Sequence, residues 1–395
     1  MPGRRRPLRG VVPVPTLSRT PAFWTAAGLL LLVLAASGVP TPLYRVYQEQ
    51  FGFGPGMLTT VFGIYAMALL AALLVVGGLS DHVGRRPVLA GGLLLQAVAM
   101  VALTGTLGAA LLDTQRPDKP LGPLVNSAAP GFGLSLGVVG AGMVVEFVAT
   151  PTRWVFAVLA VALVLAAATV RLLPETSPRA PGALTSLRPT VRVPRSQRPA
   201  FLAVLPVIVA AWALGGLYLS LGPSLAASVF GIEDHLVGSL LVLAMQGSAA
   251  VGAVLGRNLP HERAMVAGAS VFAVGVTGTI AALLTVQTVV MFGSAVVSGL
   301  GFGLAFLGAV ATASAGVAPA DRAGLMSSVF VVGYLSFSLP AIVAGAVTGA
   351  VGLETVAEIY AAVLVVLALT AVAGVRLRRR ARPVAEPEDA GALAA

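Results

Sequence analysis

The chain has 395 residues, of which 57% are hydrophobic and 10% charged, with a net charge of +10. A soluble chain of this length with so few charges could not cover itself with polar surface, so lipid is the solvent for most of it. The arginines stand in short clusters between or beyond apolar runs, at 4–6, 85–86, 188–198 and 376–382, which is topology signalling rather than a nucleic-acid-binding stripe. With no cysteine there is no disulfide or thiol chemistry, and His82, His235 and His261 stand too far apart in sequence to suggest a metal cluster.

In chain order, a basic cytosolic arm (1–21) precedes the first apolar segment, 22–44. The arm and segment also fit a signal peptide, but further spans follow at once and the reading is a retained helix. Apolar segments then recur at 57–80, 87–112, 122–149 and 153–173, and after a break at 200–230, 235–256, 264–285, 288–316, 324–350 and 355–375. At about 20 residues per crossing each is long enough to span once, and helices are the only reading, because barrel strands would be short and alternating. The fold class is an all-α polytopic membrane protein.

Residues 174–199, rich in Pro and Arg, divide the chain into an N-terminal bundle of five apolar segments (22–173) and a C-terminal bundle of six (200–375), followed by a cytosolic tail (376–395). Eleven simple crossings put the termini on opposite sides, whereas the charge rule puts both inside. The conflict localises to 87–112, which has basic residues at both ends and sits in the shorter half, so about one helix is missing there. A weak repeat relates the halves: Leu124, Ser127, Leu134 and Ser135 align at a constant offset with Leu325, Ser328, Leu335 and Ser336.

Between the second and third segments stands Gly77-Gly78-Leu79-Ser80-Asp81-His82-Val83-Gly84-Arg85-Arg86-Pro87. Gly77 permits close helix approach, Asp81 ends a helix at the membrane surface, Gly84 permits a tight turn, and Arg85 and Arg86 hold that turn in the cytosol. The stretch resembles the signature loop of the major facilitator superfamily. The resemblance implies two six-helix bundles with a substrate held between them near the midplane, alternating access by rocking, and a conformational-switch role for Gly77, Asp81, His82, Gly84, Arg85 and Arg86. Three features depart from the family pattern. His82 stands where Arg or Lys is usual, no intramembrane Arg lies near the missing helix, and the fifth-helix motif of drug antiporters is half present, with Gly133, Gly137 and Gly142 kept but Val138 and Ala141 substituted.

Ionisable residues inside spans are costly and functional by default, and this chain has almost none. Glu146 is the candidate for coupling, set against a surface ion pair near Arg153; Glu233, Asp234 and His235 read as a loop. Tyr65, Gln96, Trp212, Tyr218, Gln246 and Tyr334 are the candidate cavity residues, each with helix packing as its competing explanation, and as a set they imply an uncharged or amphipathic solute. Gly299, Gly301, Gly303 and Gly308 read as close packing rather than a nucleotide loop, and Tyr44, Arg45 and Tyr47 as an outer interfacial anchor with gating as the lesser option.

The expected protein is therefore a monomeric secondary transporter of the cell membrane, driven by a proton or other ion gradient because the chain carries no P-loop, with no cofactor, metal, nucleic-acid partner or enzymatic activity. Drug efflux is one option. A truncated relative that binds without cycling, as a sensor or an inactive protein, is the alternative.

Overall fold

The computed structural model describes residues 17–76, 121–175 and 190–381, together with Thr114. The helices are α1 (Arg19–Gly38), α2 (Pro40–Phe51), α3 (Pro55–Val76), α4 (Gly122–Phe147), α5 (Pro151–Val170), α6 (Arg198–Ser220), α7 (Gly222–Ser228), α8 (His235–Gly256), α9 (His261–Thr285), α10 (Thr288–Ser314), α11 (Pro319–Val351) and α12 (Leu353–Ala381). Among the described residues nine helical stretches are long and apolar enough to cross a bilayer, with α1 and α2 counted as one, and Pro55–Ala71 is a shorter apolar helix. The segment 87–112, with its suspected missing helix, lies outside the described residues.

Each helix follows from its sequence in the same way. Helix α5 turns Trp154, Val158, Val161 and Leu165 outward and Val155, Leu159, Leu163, Ala166 and Val170 inward. Both stripes repeat at helical spacing and both are apolar, because one faces the bundle and the other lipid. Helix α2 begins with Pro40 at its first position and stops where Gly52 takes a left-handed conformation and donates its N–H to the Gln48 carbonyl at 2.9 Å. Val286 closes α9 with φ of 51°, a conformation that is strained for a β-branched residue.

Small residues let the helices approach. Helix α10 lies between α8 and α9 with glycines on two faces: Gly299 and Gly303 abut Met245 and Ala249 of α8, and Gly301 and Gly308 abut Phe272 and Met265 of α9. In lipid no hydrophobic force distinguishes a helix face from a lipid tail, so van der Waals contact at such sites is what holds helices together.

The helix directions follow from the packing. Helix α4 runs alongside α1 in the same sense, Gly133 meeting Leu31 and Leu34 and Gly137 meeting Ala35, while α8 runs opposite to α4 and α3 opposite to α11. One end of the bundle therefore holds the start of α1, the end of α3, the start of α4 and the Arg-bearing stretch 190–198. The other end holds α2 and α7. These are called here the Arg-rich face and the far face. The end of α3 and the start of α4 thus share the Arg-rich face.

Candidate functional site

Two seams join the halves. In the first, α3 lies along α11: Gly56 approaches the Gly345 carbonyl, Gly345 admits the Thr59 side chain, and Gly63 admits Ile342. In the second, α4 lies along α8: Gly131 abuts the Gln246 carbonyl and Ala250, and Gly142 abuts Ser239. A methyl group at Gly131, Gly142 or Gly345 would collide with the opposite half. The two repeated sequence stretches fall on α4 and α11, one in each seam, and Ser135 and Ser336 each bond the carbonyl four residues back, Ser135 to Gly131 and Ser336 to Val332, both at 2.7 Å. The cross-half packing just named runs from mid-height toward the far face.

Between the seams lies a chain of aromatic rings. Tyr44 of α2 meets Phe62 of α3 edge-on at 6.5 Å between centroids, and Phe62 meets Phe337 of α11 at 5.0 Å. Phe337 in turn meets Trp212 of α6 at 6.2 Å, and Trp212 is ringed further by Tyr334 at 4.9 Å, Phe306 at 6.1 Å and Phe330 at 6.4 Å. Most of these contacts are edge-to-face, the arrangement favoured by the aromatic quadrupole. Trp212, Phe306, Phe330, Tyr334 and Phe337 are all half-buried. Tyr65 of α3 lies near Tyr334, and its hydroxyl is buried without a hydrogen-bond partner. Among the described residues every Asp, Glu, Arg and His lies toward the end of a crossing helix or outside it, so the described part of the middle of the site is neutral.

Of the cavity residues expected from sequence, Tyr65, Trp212 and Tyr334 come together in this zone. Gln246 is buried in the second seam. Tyr218 points instead into the C-terminal bundle, 2% exposed, beside Thr279, Ser298 and the apolar core of α6, α9, α10 and α12. Gln96 and the loop residues Gly77, Asp81, His82, Gly84, Arg85 and Arg86 lie outside the described residues. Phe62, Phe306, Phe330 and Phe337 were not among the sequence candidates. The spacing of Phe330, Tyr334 and Phe337, which places all three on one face of α11, was a signal that pointed to them.

Charges gather at the far end of the second seam. Glu146 pairs not with Arg153 but with the loop before α8: its carboxylate accepts the His235 backbone N–H at 3.0 Å and lies 3.6 Å from Nδ1 of the same residue. Asp234 caps α8 by accepting the Val237 N–H at 2.8 Å. Arg45 reaches across to the other half and donates to the carbonyls of Ile232 at 3.3 Å and Glu233 at 3.0 Å. The outer-anchor reading of Arg45 therefore gives way to a contact between halves, because the α7–α8 loop brings two carbonyls within reach of its guanidinium.

This is the architecture of a multi-pass transporter: two helical bundles facing each other across seams of small residues, with a zone of half-buried aromatic side chains between them. The profile described as Major Facilitator Superfamily matches residues 2–113 and 124–341, and the chain belongs to that family, whose members are transporters and not enzymes. The fold is shared with a D-xylose–proton symporter (TM-score 0.65, 15% identity, covering 89% of this chain and 96% of that one) and a nucleoside transporter (0.64, 16%, 89% and 99%). It is also shared with a bacterial homologue of the human lysosomal transporter Spinster, captured inward-facing and unoccupied (0.62, 14%, 93% and 99%). No curated protein matches significantly.

Proposed function

We propose that the protein is a secondary active transporter that carries a small uncharged or amphipathic solute across the cytoplasmic membrane, with drug-like compounds among the candidates and efflux as one direction. The observation that carries the reading is the half-buried aromatic ring around Trp212, set between the halves in a zone free of charge. Such a lining rewards a flat or amphipathic solute through stacking and apolar contact, and it offers a fixed charge nothing to pair with. The hydroxyls of Tyr65 and Tyr334 supply hydrogen bonds for a neutral polar group.

Among the described residues the cross-half packing lies toward the far face, and on that basis our reading has the aromatic zone approached from the Arg-rich face. That face is cytosolic by the positive-inside rule. Rocking about the two glycine seams would open the far side while the site stays in place. Glu146, a carboxylate in contact with both halves, is our candidate for proton coupling. The conformational-switch loop 77–86 would act on the cytosolic side.

The test uses protein reconstituted as a monomer in vesicles, with Trp24 and Trp154 replaced by Phe so that Trp212 alone reports binding. A panel of neutral and amphipathic aromatics is screened by fluorescence, and binders are followed for flux under an imposed proton or sodium gradient. Gradient-driven flux supports the proposal. Binding without flux under any gradient overturns it in favour of a non-cycling binding protein.

A further inference from the structure

Apart from the coupling role given to Glu146, the transport reading leaves the charges on the far face without a function. They are arranged by sign. The loop between α7 and α8 presents two carbonyls, those of Ile232 and Glu233, followed by the exposed N–H groups that begin α8. Arg45, from α2, donates to the carbonyls, and Glu146, from α4, accepts from the N–H of His235. A cation on the carbonyl side and an anion at the helix N-terminus are each in their favourable place. Both come from the N-terminal half and both grip the same short loop of the other half. Gln48 of α2 lies 3.4 Å from Ser224 of α7 beside them. Arg45 is itself steadied by Glu49 one turn along, at 3.2 Å.

His235 adds a second contact: its Nδ1 faces the Glu146 carboxylate at 3.6 Å, and its Nε2 is buried with no hydrogen-bond partner. Among the described residues the other charged groups at this end of the seam are Arg45 and Glu49 on α2 and Glu233 and Asp234 on the loop. Helix α7 carries none, and α8 carries none besides His235. Arg45 is committed to the loop carbonyls and Asp234 to the cap of α8, which leaves Glu146 as the acid in direct contact with the imidazole.

We propose that Arg45 and Glu146 form a two-handed clasp that holds the far face shut by gripping residues 232–235. Resting on the transporter reading, this assigns a gate to that face.

The chain has no native cysteine, so Ser135→Cys places a single thiol on the second seam, at a position 2% exposed while the far face is shut. The rate at which a membrane-impermeant maleimide reaches it from the far face reports gate opening, each rate being divided by that of a free thiol at the same pH. Glu146→Gln and Arg45→Gln are expected to raise the corrected rate by about tenfold each, the size of losing one charge-assisted contact. His235→Gln should keep slow labelling, because the backbone N–H to Glu146 remains.

Unchanged rates in both Glu146→Gln and Arg45→Gln overturn the clasp. Only variants that elute as the parent does are scored, and Glu146→Asp, which keeps the charge, should restore at least part of the hold. Absence of far-face labelling in every variant would instead count against alternating access itself. The two failures are therefore distinguishable without knowing the substrate.

Discussion

The two seams that join the halves are built to the same plan and finished differently. Along α3 and α11 the contact is made of small and apolar groups throughout, with Gly56, Gly63 and Gly345 admitting neighbours and Phe62 stacked on Phe337. Along α4 and α8 the glycines Gly131 and Gly142 play the same part, but the far end finishes in charged groups that hold a loop. An apolar seam between small residues has shallow, non-directional energetics and slides or tilts at little cost. A charge-assisted contact is either made or broken. The difference suggests that both seams serve as bearings of the motion and that the second also carries its catch.

The largest effect is expected where the seams are tightest. Replacing Gly131 or Gly345 with Leu puts a side chain into the opposite backbone or into Thr59, and overpacking of this kind costs roughly 1–3 kcal/mol. Because the clash exists only while the far face is closed, both variants should shift the protein toward far-side opening by about tenfold to a hundredfold. Spin-label distances between residues 50 and 228 should lengthen accordingly. If only Gly131→Leu does so, the two seams are not equivalent bearings.

Next in size is the aromatic zone. Trp212→Ala removes the ring on which Tyr334, Phe306 and Phe337 converge, and binding of an aromatic solute should weaken by about tenfold, the worth of an aromatic contact or two. The loss should appear in KM more than in kcat, read from flux in vesicles. Smaller effects are expected away from both seams. Val286→Gly relieves left-handed strain at the end of α9 and should stabilise the protein by about 1 kcal/mol, measured by denaturation in detergent, with flux unchanged. Tyr218→Phe should change neither stability by more than about 0.5 kcal/mol nor flux, because the hydroxyl it removes is buried without a well-formed hydrogen bond. A large loss of flux in Tyr218→Phe would return that residue to the transport pathway.

Helix length and position were legible in the sequence because lipid imposes them: the segment read as 235–256 is helix α8 from His235 to Gly256. The packing role of Gly299 to Gly308 was legible too, since glycine in an apolar run has little other use. Partners across the seams were not. Arg45 and its loop carbonyls are separated by more than 180 residues, and nothing local distinguishes a gating arginine from an interfacial anchor. Glu146 has Arg153 near it in sequence, but the turn between α4 and α5 did not bring them into contact, while the loop before α8 met the carboxylate. Tyr218 misled for a different reason. From Ala213 to Ser220 helix α6 is buried on every side, so its sequence carries no stripe to tell the inner wall of the bundle from the zone between the halves. On α11, where Phe330, Tyr334 and Phe337 share a face, the stripe exists and the site was within reach.

The central claim is that the aromatic zone is exposed to the two sides of the membrane in turn. Tyr334→Cys in the naturally cysteine-free chain gives a thiol in that zone. A second pair, Gly56→Cys with Ala346→Cys, locks the first seam by a disulfide, since a Cβ at 56 would lie 3.8 Å from the Cα of 346. Impermeant maleimide is applied separately to each face of oriented vesicles, before and after reduction of the disulfide. The account predicts that residue 334 labels from the Arg-rich face in both states and from the far face only after reduction. Labelling from the far face while the seam is locked, or from the far face alone, would contradict it.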